Sequence, residues 1–342
     1  MDRRNFLFGS SSLALSGGKM FPEVRFDLTN WSGVAEQGTW TGYKEDGTVI
    51  GSATGDVTSI LQDTMDYAVV NGYSFRATGR TYQANGSVPF LCLYGTITIK
   101  PSICNVMLFD NCCILSRPVN RGPGLVFDSF EDLTFEYRGG QFVYEGDVAG
   151  VRFEPTNLVP ADNAILCALA KVKFQAITIR PNSGIDAAAV EWNPGSHKIW
   201  AGQYNFGEVD GLGVVHETMR VMSPTNGGSF ENNMVTASMV SNSTRATVQV
   251  GMGQGNQQKI RHNSWKFGSL QPGTASSDGF NTFGCYDRIE VGVIGNDNMA
   301  PNGLNRGIVL EPGSVGNRYS YNEIYGSNGG DVVNAGTDNV RY

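Results

Sequence analysis

The chain has 342 residues, of which 40% are hydrophobic and 17% charged, with 44 Gly and a formal net charge of −7. This apolar content excludes an intrinsically disordered chain, and no apolar run is long enough to cross a membrane as a helix. The 32 acidic residues outnumber the 25 basic ones, so the chain lacks the basic footprint of a nucleic-acid-binding protein. The composition indicates a globular protein with no membrane span and no nucleic-acid partner.

Six cysteines, at positions 92, 104, 112, 113, 167 and 285, form no C-x-x-C pair and have no neighbouring histidine. This spacing argues against a zinc site, and buried reduced thiols are favoured over a disulfide framework. The chain has 3 histidines, and it contains no phosphate-binding loop, nucleophile elbow or zinc-binding helix motif. We therefore predict no metal and no cofactor.

Residues 1–55 differ in character from the rest of the chain. Arg3 and Arg4 precede a short apolar stretch, as in a twin-arginine export signal, but Gly9 and several serines interrupt that stretch. The alternative is a short adaptor that docks the chain onto another protein. Residues 20–55 show no helical period and are predicted to be an extended lead-in.

A short amphipathic helix is predicted over residues 57–71. Ile60, Leu61, Met65, Ala68 and Val69 recur at helical spacing. Ser59 and Gln62 have the spacing of a capping box, and Asn71-Gly72 provides a stop signal. The apolar face of this helix is expected to cover an exposed end of the core.

After Gly72, short runs of β-forming residues alternate with turns rich in Gly, Asn, Asp, Ser and Pro. This punctuation is compatible with a sandwich, a barrel, a propeller or a parallel solenoid. The scarcity of two-residue hairpin turns and the asparagines after many strands favour the solenoid. We predict rungs from Trp265 to Ile289 and from Ile289 to Ile308.

The last hundred residues contain a repeated pattern. Asn263–Gly268, Asp287–Gly292 and Tyr321–Gly326 each place two β-formers, separated by one polar residue, before a glycine. A stack of strands needs this arrangement, because apolar residues point inward, polar residues point outward and the glycine allows a turn.

Two segments carry a resemblance to a known superfamily. Asp56–Gln62, the helix and the strand that ends in Gly79-Arg-Thr-Tyr82 resemble the entry to pectate-lyase-like right-handed β-helices. Residues 307–339 look like the later rungs of phage tailspikes of the same superfamily. The resemblance implies an all-β fold, a single-stranded right-handed parallel β-helix over residues 56–342 with an N-terminal capping helix.

The same resemblance implies a function. It points to a virion-associated tailspike or tail-fibre component that binds host surface polysaccharide, and cleaves it if the chain is active. Such a chain is expected to be a homotrimer attached to phage tail proteins through residues 1–50. An exported bacterial polysaccharide lyase or hydrolase and an inactive structural β-helix are the alternatives, since this fold supports several activities.

Two carboxylates that flank a glycosidic bond could cleave it. They lie about 5 Å apart in enzymes that retain the anomeric configuration and roughly 6.5–9.5 Å apart in enzymes that invert it. If Val209 points inward, Glu208 and Asp210 share the outer face of one strand. These two residues and Glu217 are the candidate catalytic groups, with a solvated acidic turn as the alternative interpretation. Nearby candidate substrate-binding residues are Trp192, Trp200, Tyr204 and His216.

A lyase needs a basic group and a cation that neutralises a uronate. Lys259 and Arg261 flank Ile260, so both cations are predicted to point outward if Ile260 points inward, and Trp265 follows closely. These three residues complete the candidate substrate-binding set. The alternative for the two cations is an ordinary solvated strand face.

Overall fold

The computed structural model describes residues 22–80, 88–100, 106–128, 135–155, 171–225, 227–253, 259–295 and 304–342, with the backbone of residues 165–166. Within these ranges the protein is all-β with one helix. The described part of the chain contains no helix that is long and apolar enough to cross a membrane.

The first described residues form three strands, β1 (Glu23–Trp31), β2 (Gly38–Tyr43) and β3 (Val49–Thr54), which precede the helix α1 (Thr58–Asn71). Strands β1–β3 pair antiparallel in sequence order. Val24, Phe26 and Trp40 are buried in the same core as the later strands. Strands β1–β3 therefore belong to the same sheet as the later strands, and residues 1–21 lie outside the described part.

The helix begins and ends close to the predicted positions, but it starts differently. Gly72 has φ 68° and ends the helix as predicted. No side chain closes a capping box; instead Asp56 Oδ1 accepts hydrogen bonds from the Thr58 amide at 3.0 Å and hydroxyl at 2.6 Å. The Gln62 side chain forms hydrogen bonds with the backbone of Thr98 rather than with the first turn of the helix. Leu61, Met65 and Ala68 bury the apolar face against the core.

The strands after the helix are, in chain order, β4 (Ser74–Thr78), β5 (Phe90–Leu93), β6 (Ile97–Ile99), β7 (Val106–Asp110), β8 (Cys113–Ser116), β9 (Leu125–Phe127), β10 (Glu136–Tyr144), β11 (Ala149–Phe153), β12 (Ile165–Leu166), β13 (Lys171–Ile179), β14 (Ala188–Trp192), β15 (Lys198–Trp200), β16 (Gln203–Val221), β17 (Ser229–Glu231), β18 (Met234–Val250), β19 (Ile260–Arg261), β20 (Ser264–Gln271), β21 (Asp278–Thr282), β22 (Arg288–Ile294), β23 (Ile308–Leu310), β24 (Arg318–Ile324), β25 (Val332–Asn334) and β26 (Val340–Arg341).

From β4 onward, every strand pairing recorded in the described residues is parallel. One stack, called the main face here, consists of β4, β7, β10, β13, β16, β18, β20, β22, β24 and β26. A second stack runs from β6 through β9, β11, β14 and later strands to β25, and the short strands β12, β15, β17 and β19 form a separate sheet. This long, mostly parallel sheet is compatible with a β-helix or solenoid.

The register confirms one predicted rung and corrects the next. Trp265 pairs with Ile289, as predicted. Ile289 pairs with Tyr319, whereas Ile308 pairs with Phe280 in the second stack, so the predicted rung from Ile289 to Ile308 is wrong. The predicted repeat at Tyr321–Gly326 is also out of register, because Asn317–Asn322 is the segment that aligns with Asp287–Gly292.

The aligned repeats begin with a buried ladder of polar side chains. Asn263 Oδ1 accepts the backbone N–H of Asn233 at 3.0 Å, and Asp287 Oδ1 accepts that of Asn263 at 2.8 Å. Asn317 and Asn339 continue the ladder at 2.8 and 2.9 Å. The residue before each of Asn233, Asn263, Asp287, Asn317 and Asn339 has a positive φ between 55° and 66°. The asparagines therefore satisfy buried amides at one stacked turn.

The ladder contains one acid. Asp287 is 1% exposed, and its Oδ2 accepts a hydrogen bond from the Trp265 indole at 3.1 Å. Burial raises the pKa of Asp287 to about 7, against the lowering effect of the hydrogen bonds from Asn263 and Trp265.

Four of the six cysteines lie in the described residues, and all four are buried free thiols. Burial raises the pKa of Cys92 and of Cys112 to about 12, so neither is a reactive thiolate at neutral pH. Cys104 and Cys167 lie outside the described residues.

Candidate functional site

Three adjoining hollows of about 420, 440 and 650 Å³ lie along the outer surface of the main face and are together called the groove here. The first two share Arg138 and Lys173, and the second and third share Asn205 and Thr236. The groove crosses eight stacked strands, from β7 to β24, which corresponds to about 34 Å at roughly 4.8 Å per strand.

The groove follows a bend that recurs in β13, β16, β18, β20 and β22. In β16, Phe206 and Val209 are buried, but the two residues between them are not, so the inward–outward alternation shifts by one residue at Gly207. A Cβ atom at Gly207 would lie 2.2 Å from the Gln175 carbonyl oxygen. Gly268 and Gly292, at the same position in later strands, would clash similarly at 2.5 and 2.4 Å. Close backbone packing therefore requires glycine at these three bends.

The outward residues beside this bend form one polar row. Each member lies directly opposite the next in register. The row consists of Arg138, Lys173, Asn205, Thr236, Lys266, Glu290 and Ser320. It offers hydrogen-bond donors and acceptors to a ligand along the whole groove.

Glu208 and Asp210 lie just beyond the bend in β16, with Val209 buried between them as predicted. The Glu208 side chain is exposed and forms no hydrogen bond or ion pair with another described residue. Asp210 is half-buried, and its Oδ1 accepts hydrogen bonds from the Leu212 amide and the Asn242 side chain, both at 2.8 Å. Asp210 therefore holds the turn at Leu212, whose φ is 51°, while Glu208 is free to contact a ligand.

The third predicted carboxylate does not join these two. Beyond the turn at Leu212, Glu217 is 1% exposed and forms ion pairs with Arg245 at 3.0 Å and Arg220 at 3.5 Å. Its neighbour His216 lies with Nδ1 3.1 Å from Asp186 Oδ1. Glu217 is therefore engaged by two arginines in the segment beyond the turn, and its catalytic role stays a prediction.

Three of the predicted substrate-binding aromatics lie in the core. Trp192, Tyr204 and Trp265 are at most 1% exposed, and the Trp192 ring stacks on Phe153 with centroids 5.6 Å apart. Their assignment as surface platforms for sugars is therefore corrected. Large aromatic side chains fill the interior here because each inward position faces another inward position in the adjacent strand.

The remaining predicted residues lie on the separate four-stranded sheet or next to it. Trp200 of β15 is 37% exposed and pairs in register with Glu231, which pairs with Arg261. Arg261 Nε lies 3.3 Å from Glu231 Oε2, and Lys259 Nζ donates to the Thr225 carbonyl oxygen at 3.3 Å. Ile260 is buried between the two cations, as predicted. Both cations are therefore engaged within the protein, on or beside the separate four-stranded sheet.

The sequence patterns did not single out the cations of the groove as candidate ligand-binding residues. Lys171 and Lys173 alternate with buried Val172 and Phe174, which is the same pattern that singled out Lys259 and Arg261. Only the register shows that Lys173 lies beside Arg138.

No group of metal-ligating side chains is found among the described residues. Comparison with family models, curated proteins and solved structures gives no match.

Proposed function

We propose that this protein binds an extended polysaccharide along the groove of the main face, as a right-handed parallel β-helix carried on a phage tail. The observation that supports this proposal best is the series of three adjoining hollows across eight strands. A long, shallow surface that carries a row of polar side chains suits a linear polymer, whereas a small-molecule site is typically an enclosed pocket.

In this proposal the chain is a homotrimeric tailspike or tail-fibre component. The virion would be its location, residues 1–50 would dock onto other tail proteins, and a host surface polysaccharide would be the ligand. The parallel stacking from β4 to β26 supports the β-helix, because each rung repeats the same in-register pairing. The intact mass and oligomeric state of the protein from its native source test the assembly, since an exported enzyme would instead be a shortened monomer.

The binding itself is tested with oligosaccharides of increasing length, cut from a bacterial surface polysaccharide that binds the protein. Affinity is expected to rise with length until the groove is filled, because each added sugar contacts a further strand. An affinity that stops rising at two or three sugars would contradict binding along the groove.

Whether the protein also cleaves the polysaccharide is tested by replacing Glu208. Glu208→Gln is expected to leave the unfolding midpoint unchanged, because the side chain has no partner among the described residues, and to abolish any depolymerase activity. Asp210 is unsuitable for this test because its removal would also release the turn at Leu212. Undiminished cleavage by the Glu208→Gln variant would remove Glu208 from the proposed site.

A further inference from the structure

Positive charges are concentrated where the first two hollows of the groove meet. Arg138 of β10 lies directly opposite Lys173 of β13, and Lys171 is two residues away on the same outward face. The Arg138 side chain is 62% exposed, and both lysines are exposed. The three cations therefore share one accessible surface, called the cation cluster here.

One acid partly neutralises the cluster. Glu136 forms an ion pair with Arg138 at 2.6 Å and lies directly opposite Lys171 in register, whereas Asp110 pairs with Arg76 at 2.6 Å. Lys171 and Lys173 form no ion pair with any described residue. The cluster therefore keeps unpaired positive charge although the whole chain has a net charge of −7.

Arg138 and Lys173 are like charges placed directly opposite each other on adjacent strands, an arrangement that destabilises a sheet. The ion pair of Arg138 with Glu136 reduces this repulsion but leaves Lys173 without an acidic partner among the described residues. An anionic ligand, by contrast, would turn the repulsion into an attraction.

We propose that Arg138, Lys171 and Lys173 form an anion subsite that binds the carboxylate or sulfate groups of an acidic polysaccharide. This inference rests on the proposed binding of polysaccharide along the groove. A single-stranded nucleic acid is the less suitable anionic polymer, because base stacking requires exposed aromatic rings. Tyr137 and Tyr204, which line this part of the groove, are at most 1% exposed.

The test compares polymers that differ only in charge. Binding to dextran, carboxymethyl-dextran and single-stranded DNA is measured by affinity electrophoresis at low and high salt. The protein is expected to bind carboxymethyl-dextran about tenfold more tightly than dextran at low salt, and the preference should disappear at high salt as the charges are screened. Equal binding of the two dextrans would overturn the anion subsite, while the proposed function would stand on its own length test.

Single-residue variants distinguish binding at the cation cluster from a general effect of positive charge. Lys173→Gln is expected to weaken binding to carboxymethyl-dextran about fivefold, which corresponds to about 1 kcal/mol, and Lys171→Gln should act similarly. Lys198→Gln removes the same charge from the separate four-stranded sheet and should leave binding unchanged. An equal loss in the Lys198→Gln variant, or tighter binding of DNA than of carboxymethyl-dextran, would contradict the assignment.

Stability gives a second readout. Because Lys173 faces Arg138, Lys173→Gln is expected to leave the urea midpoint unchanged or raise it, while binding falls. A lower midpoint in this variant would indicate that Lys173 serves the fold, and the anion subsite would be rejected.

Discussion

Replacing Asp287 with asparagine should remove a pH dependence of stability that the buried ladder imposes. The Asp287 carboxyl is 1% exposed, and its pKa is raised by burial from 3.8 to about 7. Between these two values the folded protein keeps a proton that the unfolded chain has lost. Stability therefore falls as the pH rises from about 4 to about 7.

The magnitude follows from the size of the shift. A raised pKa of about 7 against 3.8 spans about three units, and each unit corresponds to about 1.36 kcal/mol. The buried Asp287 carboxyl is thus expected to lower the free energy of unfolding by about 4 kcal/mol more at pH 8 than at pH 4. Asparagine keeps an oxygen that can accept the Asn263 amide but loses the acceptor for the Trp265 indole, a cost that does not vary with pH.

The assay is urea unfolding of both proteins at pH 4 and pH 8. The free energy of unfolding of the Asp287→Asn variant, relative to the unchanged protein, should increase by about 4 kcal/mol between the two pH values. Asp46→Asn is the control, because hydrogen bonds from Thr48 lower the pKa of the exposed Asp46 below its ordinary value of 3.8. The pH-dependent contribution of Asp46 therefore lies below about pH 4, and the relative stability of this variant should stay constant from pH 4 to pH 8. A relative stability of the Asp287→Asn variant that does not change with pH would refute the reasoning about the buried acid.

Two further predictions concern stability. Asn263→Ala leaves the buried Asn233 amide without its acceptor and should cost about 3 kcal/mol in urea unfolding, whereas Asn322→Ala on the exposed surface should change stability by less than about 0.5 kcal/mol; equal effects would contradict the ladder. Glu217→Ala removes a buried partner of Arg220 and Arg245 and should lower stability by about 3 kcal/mol without changing polysaccharide binding; a loss of binding in a stable variant would restore Glu217 to the ligand site.

Local patterns in the sequence predict much of the secondary structure. The helix over residues 57–71 follows from its spacing of apolar residues and from Gly72, and both are present in the structure. Val209 and Ile260 are buried between polar neighbours because alternation along a strand is a local property. The same rule correctly places Glu208 on the outer surface.

The register between strands that are distant in the sequence cannot be predicted from such local patterns. The repeat at Tyr321–Gly326 ends in the expected glycine, whereas Asn317–Asn322 ends in asparagine. Strand pairing and the hydrogen bond from Asp287 N–H to Asn317 Oδ1 nevertheless align the second segment with Asp287–Gly292. Trp192, Tyr204 and Trp265 suggested a sugar platform because the sequence does not tell which aromatic residues face the core. The cation cluster is invisible for the same reason, since Arg138 and Lys173 meet only through strand pairing.

The central claim is that a polymer lies along the groove of the main face, and a blocked groove tests it most directly. Thr236 lies where the second and third hollows meet, so Thr236→Trp should fill the groove at its middle. Lys198→Trp adds the same bulk to the separate four-stranded sheet. We predict that Thr236→Trp abolishes binding of a long polysaccharide while Lys198→Trp does not; full binding by the Thr236→Trp variant, with its fold intact, would contradict the account.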